Sequence, residues 1–172
     1  MSNKVAILMG STSDWPAIKP ATEILDSLEI SYEVKVLSAH RTPKQLLEYL
    51  DEKIKEGSVK VFIAGAGGAA HLAGVISAHT ILPVLGVPME SQSLKGLDSL
   101  LSTVQMPSGV PVATFSIGSA GSTNAALFAA AILGVNDEAI SNGIKKYREK
   151  RKGKNYTKEK TCKKNRKQRE VV

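Results

Sequence analysis

The chain has one cysteine in 172 residues, Cys162, and it lies in a strongly polar stretch. That excludes a disulfide framework and a cysteine-built metal cluster, and makes a reducing cytoplasm the expected setting. Aromatic residues are scarce, 5% of the chain against 42% hydrophobic residues in all. Alanine, glycine and β-branched side chains must therefore build the core, which suits close packing of helices on a sheet. The opening MSNKVAILMG contains too short an apolar run for a signal-peptide core of roughly 7–15 residues. Residues 61–89 lack formal charge, but His71, His79, Pro83 and five glycines interrupt them. The pattern reads as strand–turn–helix–strand and not as a membrane span, so the chain is expected to be soluble, with no membrane partner.

Basic charge is also lacking from most of the chain, despite the net +7. Fourteen of the 23 Lys/Arg fall in residues 145–172 with three Glu, a local balance of +11, so the preceding 144 residues carry −4. A run such as KKNRKQRE has no apolar period and is expected to be disordered. Residues 153–172 therefore read as a solubilising basic tail on a domain of residues 1–152. Nucleic acid is not the expected partner, and contact with it would rest on this tail alone.

What is present is an alternation of strands and helices. Lys4–Met9 reads as a buried strand. Asp14 before Trp15 and Pro16 reads as the N-cap of a helix, whose spacing is carried by Ile18, Ala21, Thr22, Leu25 and Leu28, with Pro20 tolerable only near its first turn. Further strands are expected at Tyr32–Leu37, Val59–Ala64, Pro83–Val87 and Pro111–Ser116. Helices are expected from Thr42 through Glu56 and at Ala69–Ala78, Leu97–Val104, Ser122–Leu133 and Asp137–Lys152. Such an order makes an α/β protein: a three-layer, doubly wound, flavodoxin-like parallel sheet of five strands with a C-terminal helix and the basic tail. Ligands of such sheets bind beyond the carboxyl ends of the strands, at the switch in strand order. The loops after the first three strands are thus the ones to inspect.

The first loop, GSTSD, offers the hydroxyls of Ser11 and Ser13 and the carboxylate of Asp14 at a helix start, fit for a phosphate or sugar or simply an N-capped turn. The second, SAHRTP, sets His40 beside Arg41. A guanidinium grips a phosphate with paired hydrogen bonds, an imidazole exchanges protons near neutral pH, and Ser38 adds a hydroxyl. The third, AGAGGAAHLAG, supplies Gly67, Gly68 and Ala69, a small-residue floor against which a flat ring can lie, with His71 on the first turn of the next helix. Its G-x-G-x-x-A pattern, with Glu90 placed 20 positions after Ala70, imitates a dinucleotide fingerprint but follows the wrong strand. No Walker-type loop, carboxylate pair, nucleophile elbow or metal-ligand spacing is found in these loops. The set suits proton transfer on a small phosphorylated substrate, with no metal and no cofactor.

The blocks GSTSDWP, SAHRTP, AGAGGAAHLAGV, LPVLGVPM, GLDSLLSTVQMPSGVPVAT and AGSTNAALFAAAIL, in this order over roughly residues 4–135, resemble the N5-carboxyaminoimidazole ribonucleotide mutases of purine biosynthesis. The resemblance implies an isomerase that moves a carboxylate from the exocyclic N5 of a nucleotide to C4 of its imidazole ring. It implies that His40 shuttles the proton, that Arg41 holds the phosphate, that Ser11 and Asp14 bind substrate with Asp14 on the ribose, and that His71 supports the carboxylate. It also implies a homo-octamer. The near-uniform apolar surface of Ser122–Leu133 agrees, since a helix apolar all round must be covered on every side, by other subunits or within the monomer. Two alternatives stand beside this reading. One is an aminoimidazole ribonucleotide carboxylase using free carbon dioxide, and the other is a nucleotide- or nucleic-acid-binding module working through the tail.

Overall fold

A computed structural model describes the backbone of residues 5–167 and the side chains of residues 5–152. Five strands are present: β1 (Val5–Met9), β2 (Tyr32–Val36), β3 (Val61–Ala66), β4 (Val84–Pro88) and β5 (Ala113–Thr114). They form one parallel sheet in the order β2-β1-β3-β4-β5, with Ile7 facing Val34 on one side and Ile63 on the other. The helices are α1 (Trp15–Ser27), α2 (Pro43–Glu56), α3 (Leu72–His79), α4 (Leu97–Val104), α5 (Ser119–Gly134) and α6 (Glu138–Lys167).

Alternation along β1 shows why the sheet needs cover on both faces. Val5, Ile7 and Met9 join one apolar cluster with α1, α5 and α6, while Ala6 and Leu8 join another with α2 and α3. Side chains on a strand point alternately to its two faces, so an unbroken apolar run such as VAILM is a strand with no solvent side. Every residue of β1 is buried. Phe62, Leu8, Leu46 and Ile76 are fully buried in the second cluster, each worth roughly 1.5–3 kcal/mol relative to exposure.

Several boundaries differ from expectation for identifiable reasons. The fifth strand keeps only Ala113 and Thr114 in register with β4, and the Pro111 carbonyl instead accepts from the Ser77 hydroxyl. α3 begins at Leu72, so His71 occupies its N-cap position and not its first turn. Pro20 lies in the interior of α1, beyond the first turn. The apolar surface of α5 is largely covered within the monomer: Ala125, Ala126, Ala129 and Ala130 are fully buried in the cluster with α1 and α6, while Phe128 remains 48% exposed. α6 continues past the expected Lys152 to Lys167. The side chains of the expected tail, and the backbone of residues 168–172, lie outside the described residues. Among the described residues no helix is long and apolar enough to cross a membrane.

Candidate active site

α1 follows β1 onto one face of the sheet and α3 follows β3 onto the other, although β1 and β3 are neighbours. The loops leaving them diverge and open a crevice at the strands' carboxyl edge. A cavity of about 470 Å³ fills it, and all ten residues singled out from the sequence line it: Ser11, Ser13, Asp14, Ser38, His40, Arg41, Gly67, Gly68, Ala69 and His71.

The first loop is a single 3-10 turn, Thr12–Asp14, capped by Ser11. The Ser11 hydroxyl accepts from the Ser13 amide at 3.2 Å and from the Ser13 hydroxyl at 2.8 Å. Asp14 stands at the N-cap position of α1 without capping it: its backbone is already helical, and its side chain makes no capping bond. Ser11 has taken the capping role one turn earlier, which leaves the Asp14 carboxyl to the cavity. Burial raises that carboxyl above its ordinary 3.8, against the opposing pull of the Ser11 amide and the Arg41 charge.

The second loop is closed on itself. The Thr42 hydroxyl accepts the Ser38 amide at 2.9 Å, and the Thr42 amide donates to the Ser38 carbonyl at 3.1 Å. The Ser38 hydroxyl accepts the amides of His40 and Arg41 at 3.3 and 3.2 Å. Ser38 therefore holds the turn, with only its own hydroxyl hydrogen left to offer a ligand. The Arg41 guanidinium donates to the Gly10 carbonyl, tying the second loop to the first and leaving its remaining N–H groups free of that contact.

The third loop carries His71 to His40. His40 Nε2 lies 2.8 Å from His71 Nδ1, with ring centroids 4.9 Å apart and planes at 82°. Gly68 adopts φ +66°, a conformation that side-chain-bearing residues avoid, and this turn sends the chain from the floor of the crevice into α3. Its amide donates to the Ser99 hydroxyl at 2.8 Å, and the Ala70 amide donates to the Ser102 hydroxyl at 3.0 Å. Two serines one turn apart on α4 thus fix the glycine-rich floor. Among the described residues, no group of three or more His, Cys, Asp or Glu is placed to hold a metal ion.

Residues 4–154 match the AIR carboxylase family. The chain belongs to that family. It is 57% identical over 145 residues to the N5-carboxyaminoimidazole ribonucleotide mutase of Vibrio parahaemolyticus, covering 84% of this chain and 89% of the relative. The Bacillus subtilis protein of the same name is 57% identical over 152 residues, 88% of this chain and 93% of the relative. Its namesake from Pyrococcus abyssi is 55% identical over 146 residues, 85% and 82%. The crystal structure of Treponema denticola PurE superposes with a TM-score of 0.83 at 30% identity, covering 91% of this chain and 96% of that one.

This member of the AIR carboxylase family also places Glu90 and Ser91 on the cavity wall, which reading only three loops had missed. They follow β4, whose carboxyl end lies at the same edge, and the Met89 amide donates to the Ala66 carbonyl at 2.8 Å. The parallel sheet was itself the overlooked signal, since every strand ends at that edge. Ser91 donates to Asp98 at 2.6 Å and accepts the Gly96 amide at 3.1 Å. The Ser91 hydroxyl holds the Asp98 carboxyl below its usual range. Ser99 and Ser102 were missed for another reason: a serine in a short helix carries no mark of a loop partner 31 and 32 residues away.

Proposed function

We propose that the chain is an N5-carboxyaminoimidazole ribonucleotide mutase, an isomerase of purine biosynthesis, and that the cavity at the β1/β3 crevice is its active site. The observation that carries this is the meeting of Asp14, Arg41 and His40 on one cavity of about 470 Å³. They bring a ribose-binding carboxylate, a phosphate-binding fork and a proton carrier to one place.

The reaction follows from what each group can do. Arg41 takes the phosphate with the N–H groups not given to Gly10. Asp14, partly buried beside Arg41, accepts from the ribose hydroxyls, and Ser11, Ser13 and Ser38 add neutral contacts around the same nucleotide. Gly67, Gly68 and Ala69 let the imidazole ring lie against backbone. The carboxyl carbon–N5 bond breaks as N5 takes a proton from His40, leaving carbon dioxide beside aminoimidazole ribonucleotide. C4 then attacks the carbon dioxide, and the C4 proton returns to His40. The proton balance closes within one histidine, so the reaction calls for no cofactor. The carbon dioxide must stay in the cavity between the two steps, which calls for exclusion of water.

The reading includes a homo-octamer in the cytoplasm, with the small nucleotide as the partner of the site. Exposed Leu94, Leu97, Leu101 and Val104 in and around α4, together with Phe128 on α5, support assembly, because a large apolar surface in water favours a partner. Residues 153–172 form a basic tail outside the catalytic domain. Assaying the purified chain with N5-carboxyaminoimidazole ribonucleotide, and separately with aminoimidazole ribonucleotide plus carbon dioxide, tests the function. Fast turnover of the first substrate is expected. Efficient turnover of the second alone would make the chain a carboxylase. Light scattering reads the assembly, and a monomer at micromolar concentration would rule out the octamer.

A further inference from the structure

We propose that His71 is a positioning residue for the proton shuttle: its Nδ1 accepts the hydrogen on His40 Nε2, so that His40 Nδ1 is the nitrogen that trades a proton with substrate. This rests on the mutase reading of the site and adds to it which nitrogen works and what holds it.

The geometry limits the choice. At 2.8 Å only one hydrogen fits between His40 Nε2 and His71 Nδ1, so one ring donates and the other accepts. The centroids are 4.9 Å apart with the planes at 82°, so the rings are not stacked. The main chain that carries each ring is anchored. The His40 amide is held by the Ser38 hydroxyl at 3.3 Å, and the His71 amide donates to the Ala69 carbonyl at 2.8 Å. His71 sits at the N-cap of α3 without capping it, so its ring is left for this contact.

Chemistry then selects the direction. Were His71 the donor, the lone pair on His40 Nε2 would be taken and a neutral His40 would present N–H at Nδ1. Such a ring has no site to receive the C4 proton. With His40 as donor, Nε2–H stays in place through the whole cycle, and only Nδ1 alternates between N–H and lone pair. In the first step the Nδ1–H proton passes to N5 as the bond from N5 to the carboxyl carbon breaks. In the second the C4–H bond breaks, its electron pair remains with the ring, and Nδ1 receives the proton. The bond to His71 is strongest when His40 is an imidazolium, since a charged donor makes the shorter and stronger hydrogen bond. His71 itself becomes the Nε2–H tautomer, with a donor to spare for the carboxylate in the cavity.

The test uses the full chain with ¹⁵N-labelled histidine. The sequence has three histidines, so single variants assign the signals. At alkaline pH, two-bond ¹H–¹⁵N correlations should show His40 as the Nε2–H tautomer and His71 as the Nε2–H tautomer with a bare Nδ1. His71→Leu should lower kcat by about a hundredfold with KM changed less than threefold, and should leave His40 as a mixture of tautomers. His71→Asn, whose amide oxygen can take the place of the Nδ1 acceptor, should recover at least tenfold of that loss. An Nδ1–H tautomer at His40 in the wild-type chain overturns the proposal, whatever the variants do. So does a His71→Leu effect confined to KM, or a His71→Asn variant no better than leucine. Full turnover in His40→Asn would instead defeat the mutase shuttle itself, a separate outcome.

Discussion

The fully buried Ser99 hydroxyl of α4 accepts the Gly68 amide at 2.8 Å, across 31 residues of sequence. The floor of the crevice therefore depends on a helix outside the three loops that line it. In Ser99→Ala the Gly68 amide loses its partner, a change that costs about 1–3 kcal/mol when water cannot replace it. Amide exchange of residues 67–70 should accelerate and kcat/KM should fall about tenfold, while the fold persists. Unchanged exchange at Gly68 would show that the loop holds itself.

Arg41→Lys separates grip from charge. A lysine carries the same charge but cannot both reach the Gly10 carbonyl and fork onto a phosphate. KM for the nucleotide should rise about 10–100-fold, as expected for lost charge-assisted hydrogen bonds, with kcat much less affected. An equal drop in kcat with KM intact would place Arg41 in the chemical step.

His40→Asn should remove turnover by at least about a hundredfold while product nucleotide still binds, measured by calorimetry. Retained activity would show that the proton travels by another route.

Asp14 predicts a trade between stability and binding. Burial raises its folded-state carboxyl above the ordinary 3.8, so the native state holds the proton more tightly than the unfolded chain does. The carboxylate therefore opposes folding at neutral pH. That penalty fades as pH falls through the folded value and is gone below the unfolded one. Asp14→Asn should be more stable than the parent at pH 7, should lose that advantage near pH 3.8, and should bind nucleotide more weakly. Urea melts at both pH values are the check. A variant less stable at pH 7 would mean that the Ser11 and Arg41 contacts outweigh burial.

Gly121→Ala tests the packing of α5 against the sheet edge. A Cβ there would stand 1.7 Å from the Ser116 carbonyl oxygen, an atom of the backbone. The helix would have to shift bodily, and overpacking of that kind costs about 1–3 kcal/mol or more. A urea midpoint equal to the parent's would contradict the close approach.

The readable parts of this protein were those written in local pattern. The apolar run VAILM announced a strand buried on both faces, and it is one. Pro43 after Thr42 marked the start of α2, which begins at Pro43. Leu97–Val104 is a helix, as expected. Edges were less legible. β5 shrank to two residues because strand length depends on which neighbours offer hydrogen bonds, and residues 111–116 do not encode that. Asp14 looked like a cap because Asp before Trp-Pro is a common one, yet Ser11 nucleates a 3-10 turn first.

Residue types and their order were enough to place chemistry in particular loops, because glycine, proline, arginine and histidine each carry a local meaning. Sequence alone thus determined the alternating α/β order, the crevice edge and ten of the residues that line it. Only the tertiary structure decided how those residues meet. His40 and His71 stand 31 positions apart and meet at 2.8 Å, and Arg41 spans to Gly10 over the same separation. Ser99 and Ser102 acquire partners only once α4 packs beside the third loop. The physical reason is that a hydrogen bond requires both direction and distance at once. Those are properties of two segments held by a shared core, which neither segment specifies by itself.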